Sequence, residues 1–221
     1  MITVHHLNDS RSQRVLWLLE EVGLAYEVKR YQRDPQTMLA PAELKAVHPL
    51  GKSPVLEDGA VRVAETGAIV EYLLDTHGGS ALRPARGTED GRRFTYWLHY
   101  AEGSAMTPLL LKLIFSQIPQ RVPFLIRPVA KAISRAMNAR MIDPQLAAHI
   151  ALWEAELARS DWFAGEAFSA ADIMMSFPVE AAAARIGFGR DKPHLKAWLE
   201  RIHARPAYQR ALERGGPYSY A

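Results

Sequence analysis

Two stretches carry side chains whose types and spacing suit the holding of an anion. Lys52-Ser53-Pro54 leads into Val55-Leu56-Glu57-Asp58-Gly59, and eleven residues after Pro54 come Glu65-Thr66. Glu65-Thr66 precede the apolar pattern Ala68, Ile69, Tyr72, Leu73, which puts them at a helix N-terminus. Free N–H groups and the positive end of the helix dipole attract an anionic group there. A proline at the head of a strand costs no ladder hydrogen bond when its edge faces a cleft. It leaves the Ser53 backbone free, and a cis bond would turn that backbone outward. The third candidate is Ser10, in the Asn8-Asp9-Ser10 cluster before a helical pattern.

These residues need positioning elements. Ile2, Thr3 and Val4 open a strand over 1–7. Val15, Leu16, Leu18, Leu19 and Val22 mark a helix ending at Gly23, and Tyr26 to Tyr31 alternate as a second strand. Residues 33–39 read as loop and 41–47 as a short helix. Asp58-Gly59 between two β-rich runs signals a hairpin with a type I′ turn. A helix follows from Thr66 to His77, closed by Gly78-Gly79. The order is βαβ–α–ββα. Beyond a linker at 81–87 the strand signals vanish, and residues 89–113, 144–160, 170–185 and 193–205 read as helices. The fold class is α+β: a unit over 1–80, the linker, and an all-helical unit over 88–221. Ser169-Ala-Ala-Asp172 is a capping signature, so Ser169 and Asp172 are read as structural.

Composition narrows the chemistry. The chain has 221 residues, a net charge of +3 and no cysteine. Cysteine-based redox exchange on the chain itself is therefore excluded. The charge is small and evenly spread, so it does not point to nucleic acid. The first residues lack a signal-peptide pattern, and the expected location is cytoplasmic. The eight histidines form no metal-ligand spacing, and His5-His6 on one strand point to opposite faces, so no metal is expected.

The runs His48-Pro-Leu-Gly-Lys-Ser-Pro-Val-Leu and Ala64-Glu-Thr-Gly-Ala-Ile-Val-Glu-Tyr-Leu resemble the glutathione site of the glutathione S-transferase family. The resemblance implies a thioredoxin-like N-terminal domain and an all-helical C-terminal domain. It implies that Pro54 is the cis-proline and that the Ser53 backbone pairs with the cysteinyl part of glutathione. It implies that Glu65 and Thr66 hold the γ-glutamyl end, and that Lys52 lies near the glycyl carboxylate. Where many serine-type members carry a further glycyl-side residue, this chain has Met38-Leu39-Ala40. A homodimer is also implied.

Ser10, followed four residues on by Arg14, resembles the serine that activates the thiol in serine-type members. Ser12 and Asn8 are its local rivals, and Arg14 reads as a structural ion pair. A serine hydroxyl is too weak an acid to be ionised here and so to serve as a base, but it can donate a hydrogen bond to a thiolate. Lowering a thiol from about 8.5 to about 6.5 takes roughly 2.7 kcal/mol. One hydrogen bond to a charged sulfur supplies about 1.5–3 kcal/mol, and a helix N-terminus up to about 2 kcal/mol.

The second substrate, an electrophile, is expected between the domains against the first long helix of the second one, near Tyr100, Gly103 and Met106. From Gly103 to Ile142 no acidic residue occurs, while Lys112, Arg121, Arg127, Lys131, Arg135 and Arg140 interleave with apolar residues, and Pro119, Pro123 and Pro128 break the pattern. This stretch resembles the bacterial and fungal branch related to the first yeast glutathione transferase. It reads as a packed helical cover or dimer surface, or as a peripheral membrane contact through 109–140. The expected activity is attack of glutathione thiolate on hydrophobic electrophiles, or reduction of an organic hydroperoxide by the same thiolate. The alternatives are a non-catalytic glutathione-binding or protein-interaction module, and a membrane-apposed carrier of hydrophobic ligands.

Overall fold

A computed structural model describes residues 1–220. Its first half is built on a four-stranded sheet of order β2-β1-β3-β4. Strand β1 (Ile2–Leu7) runs parallel to β2 (Tyr26–Tyr31) and antiparallel to β3 (Val55–Asp58), which pairs antiparallel with β4 (Val61–Ala64). Val4 to Leu7 are all buried, so β1 is covered on both faces. That burial explains why alternation in this strand is weak.

The hairpin turn lies one residue later than the sequence suggests. Asp58 pairs with Val61, so the two-residue loop is Gly59-Ala60. Only Gly59 has positive φ (59°). This is the pattern of a type II′ turn rather than type I′. Asp58 instead stays in the strand, where its carboxylate accepts from the Tyr72 hydroxyl at 3.0 Å.

Helix α1 (Ser12–Val22) makes the crossover between β1 and β2 and ends on Gly23 at φ 75°. Residues Ser12 to Leu19 are buried without interruption. A helix buried on all sides needs partners on all sides. The sheet and α3 (Thr66–Thr76) supply some, and α8 (Ala170–Ile186) and α10 (Pro206–Gly215) supply the rest. Trp17 meets Tyr208 of α10 edge-on, ring centroids 5.1 Å apart. A Cβ on Gly215 would come within 2.5 Å of Gln13 Oε1, so glycine permits the close approach of α10 to α1.

The short helix α2 (Glu43–Val47) seats Leu44 in a small cluster with Leu7 and Tyr31. The helical half begins with α4 (Glu89–Tyr100), capped by Thr88. A π-helical segment, Ala101–Ala105, joins it to α5 (Met106–Arg121). Next come α6 (Arg127–Met137), a second π-helical segment at Asn138–Ile142, α7 (Asp143–Leu157), α8, α9 (Pro193–His203) and α10. The region the prolines were expected to break is largely helical. Pro119 lies in the last turn of α5, two residues before its end, and Pro128 stands in the first turn of α6, where its missing N–H costs nothing. Helix α10 lies beyond the reach of the sequence reading. Its buried side is Ala207, Tyr208, Ala211 and Gly215, mostly small residues that give little apolar periodicity.

Ser169 and Asp172 form the capping box of α8. Asp172 Oδ1 accepts from Phe163 N at 2.9 Å and Trp198 Nε1 at 3.2 Å, and Oδ2 accepts from Ser169 N at 3.0 Å. Burial pushes its carboxyl up to about 6 against the pull of these donors. Behind the cap, Ala170 to Ala182 are buried in an unbroken run.

Candidate functional site

The candidate residues meet at the C-terminal end of β1, where β1 leaves the sheet. The Leu7 N–H lies between two serines, 3.3 Å from Ser12 Oγ and 3.2 Å from Ser53 Oγ. Ser53 Oγ also donates to the His5 carbonyl at 2.8 Å. The Lys52-Ser53-Pro54 corner is thereby pinned against the loop that carries Ser10. The Ser53-Pro54 peptide bond is cis.

Ser10 and Ser12 belong to one chain of hydrogen bonds. Ser10 Oγ accepts from the Ser12 N–H at 3.2 Å and lies 2.7 Å from Ser12 Oγ. Ser12 Oγ lies 2.9 Å from His6 Nδ1. Burial, and behind it the charge of Arg30, push the His6 imidazole down to about 4, and its ring faces the Gly215 backbone. A neutral imidazole that donates toward the Gly215 carbonyl has Nδ1 free to accept. Ser12 then gives its proton to His6, so across the 2.7 Å contact Ser10 is the donor to Ser12 Oγ, and a ligand sulfur at this place would have to draw the Ser10 hydroxyl away from Ser12. Asn8, the other rival, is turned to the following loop: its Oδ1 accepts from the Arg33 N–H at 2.8 Å. His5 points the other way from His6, to the Tyr31 hydroxyl at 2.8 Å and Glu57 at 3.4 Å.

Glu65 enters α3 at φ 72°, ψ 125°. A side chain other than glycine there costs about 1–3 kcal/mol and must be held by its surroundings. No side chain caps α3, so the amides of its first turn face outward without a helical partner. Glu65 is exposed and Thr66 buried beside it. Lys52 is exposed and forms no ion pair among the described residues. The corner thus offers a free cation, open amides and a carboxylate, which suit a ligand carrying carboxylates and an ammonium group.

Arg14 ties this corner to the helical half. Its side chain is 1% exposed, donates to Met174 O at 2.7 Å and Thr66 Oγ1 at 3.4 Å, and pairs with Glu102. Arg11 reaches the same carboxylate at 3.3 Å. Burial would raise the Glu102 carboxyl, but Arg14 and Arg11 hold it below its usual range. The sequence reading named Arg14 as a structural ion pair. Its partner, 88 residues away in a π-helical segment, has no local signal.

Among the residues considered for the electrophile, Gly103 is exposed, whereas Met106 and Tyr100 are buried. The Tyr100 hydroxyl accepts from Trp153 Nε1 at 3.2 Å and meets His149, so its polar end is engaged with α7. The C-terminal tail was missed. Ser219 N donates to Asp9 Oδ1 at 2.8 Å, one residue from Ser10. Tyr220 stacks edge-on to Phe177 at 5.4 Å, and Phe177 lies under the Arg14 guanidinium at 5.5 Å. An aromatic wall therefore stands beside the Ser10 loop, assembled from residues that no motif connects.

Residues 1–75 match the model of the glutathione S-transferase N-terminal domain, and 122–206 that of the C-terminal domain. The chain is 34% identical to glutathione S-transferase 1 of Saccharomyces cerevisiae, with 97% of this chain and 95% of that one covered. It is 30% identical to glutathione S-transferase 3 of Schizosaccharomyces pombe, covering 97% and 88%. A solved glutathione S-transferase from Actinobacillus pleuropneumoniae superposes with a TM-score of 0.83 at 34% identity, covering 99% of this chain and 94% of that one. A sphingomonad glutathione S-transferase solved in complex with glutathione gives 0.71 at 26%, covering 97% and 98%. Matching both halves in order, and relatives along nearly its whole length, the chain belongs to the glutathione S-transferase family.

Proposed function

We infer that this protein is a glutathione transferase that ionises the glutathione thiol at the end of β1 and directs it at hydrophobic electrophiles. The observation that carries the reading is the shared Leu7 amide, which brings the Ser10–Ser12 pair and the Ser53–Pro54 corner to one place. Glutathione would lie along the corner with its cysteinyl backbone against Ser53. Its γ-glutamyl end would meet Glu65, Thr66 and the open amides of α3. Its glycyl carboxylate would lie near Lys52. Ser10 then donates to the sulfur, and the thiol proton leaves on binding. The thiolate forms a carbon–sulfur bond as the leaving group departs with its electron pair. The same thiolate can break the O–O bond of an organic hydroperoxide, and a second glutathione reduces the sulfenic acid that results.

Family membership supports reading the protein as a homodimer that acts in the cytoplasm on small hydrophobic molecules, in detoxification. The electrophile is proposed to sit between Gly103 and the Phe177–Tyr220 wall, with Met106 behind it. Calorimetric titration with glutathione at neutral pH, in two buffers of different ionisation heat, tests the central step. Release of most of one proton per site is expected. Binding without release would reduce the protein to a glutathione-binding module.

A further inference from the structure

The tip of the α5–α6 hairpin presents a surface the transferase reaction does not use. Pro123 to Val129 are all exposed, an unusual run for a segment containing Phe124, Leu125, Ile126 and Val129. Phe124 is 76% exposed, Leu125 86% and Val129 61%. Large apolar side chains clustered in solvent mark a contact surface. Along α6 they are ordered. Val129 and Ile133, four residues apart, share one face, and Leu125 stands just before them in the turn Phe124–Ile126. Arg127, Lys131 and Arg135 recur at the same step, two residues out of phase; with Ala130 and Ser134 buried against the protein, the two rows flank the outward side of α6 from opposite edges. All three cations are exposed and, among the described residues, none is ion-paired.

We propose that this tip docks on the surface of an anionic lipid bilayer, with the apolar row of α6 in the headgroup region and the basic row toward the lipid phosphates. A helix with aromatic and aliphatic residues on one face and arginine and lysine on the other is the form that lies in a membrane interface. Charge chooses this occupant over a second copy of the chain. The stretch from Gly103 to Ile142 has no carboxylate, so a two-fold contact centred on the tip would set Arg127, Lys131 and Arg135 against themselves. An anionic bilayer supplies the missing charge, each lysine or arginine near it adding to the attraction. Among the described residues no helix is long and apolar enough to cross a membrane, so the proposed contact is peripheral. The proposal rests on this surface alone and stands or falls apart from the transferase reading.

Flotation of the full-length protein with two kinds of vesicle tests it: phosphatidylcholine alone, and phosphatidylcholine mixed with phosphatidylglycerol. Binding is expected to the mixed vesicles at low salt and to fade at high salt. The double substitution Leu125→Glu with Val129→Glu should weaken partitioning at least about tenfold. Arg127→Gln with Lys131→Gln should remove the preference for anionic lipid. Both pairs are exposed, so the thermal transition should not move, which separates lost docking from lost folding. Absence of flotation with the mixed vesicles would overturn the proposal, as would binding that both variants retain. A variant that halves the mass in light scattering, with no vesicle binding by the parent, would assign the face to a second copy and overturn it equally.

Discussion

Ser10 and Ser12 lie side by side, yet their hydrogen bonds give them different work. Ser12 is fully buried and held by His6, Leu7 and Ser10 together, whereas Ser10 receives the Ser12 N–H and has Ser12 Oγ as the one side-chain partner of its hydroxyl among the described residues, a bond a ligand sulfur can replace. Ser10→Ala should therefore lower kcat/KM about 10–150-fold, the worth of one hydrogen bond to a charged sulfur. The pH–rate profile should move up toward the free-thiol value. A profile unmoved in Ser10→Ala but moved in Ser12→Ala would transfer the donor role to Ser12. His6 gives a stability signature of the same network. Its folded value of about 4 lies below the ordinary 6.5, so between these the unfolded chain binds a proton that the folded chain refuses. Stability is full above about 6.5 and falls as the pH drops toward about 4, by roughly 3 kcal/mol. Asp172, raised to about 6, runs the other way. The decisive measurement is thus urea unfolding of the parent against His6→Gln across this range, where the variant should show the shallower loss.

Among the elements, α8 depends most on its start. Asp172 is wholly buried and receives Phe163 N, Ser169 N, Ser169 Oγ and Trp198 Nε1. Asp172→Ala strands these donors in the interior and should cost about 3 kcal/mol or more by urea unfolding, whereas Asp172→Asn, which keeps an acceptor, should cost less. This element was plain in the sequence because a capping box is a local pattern four residues long. The hairpin was nearly as plain, but its turn slipped by one residue. Asp58 tolerates a turn, yet its pairing with Val61 and the Tyr72 hydroxyl keep it in the strand. Helix α10 was not legible, because its buried side is chiefly alanine and glycine and is selected by fit against α1 rather than by hydrophobicity.

At the scale of the whole molecule, the candidate site sits on the joint between the two halves, and Arg14 is the tie. Its guanidinium is buried between Thr66 of the first half and Glu102 and Met174 of the second. Glu102→Ala leaves that charge without its counter-ion and should cost about 2–3 kcal/mol in urea unfolding, reduced in the double variant that also carries Arg14→Met. The sequence by itself determined what is written in contiguous residues: β1 and α1 around Ser10, the Lys52-Ser53-Pro54 and Glu65-Thr66 pair of motifs, the capping box, and the switch to helices. Each of these follows from backbone chemistry within a few positions. Only the tertiary structure decided that Ser12 and Ser53 share the Leu7 amide, that Glu102 answers Arg14, and that the tail brings Tyr220 and Phe177 beside the Ser10 loop. Apart from the local bond of Ser12 to Leu7, those contacts join residues far apart in the chain, up to 210 positions for Asp9 and Ser219, and nothing local to either partner distinguishes it from an ordinary surface or core side chain.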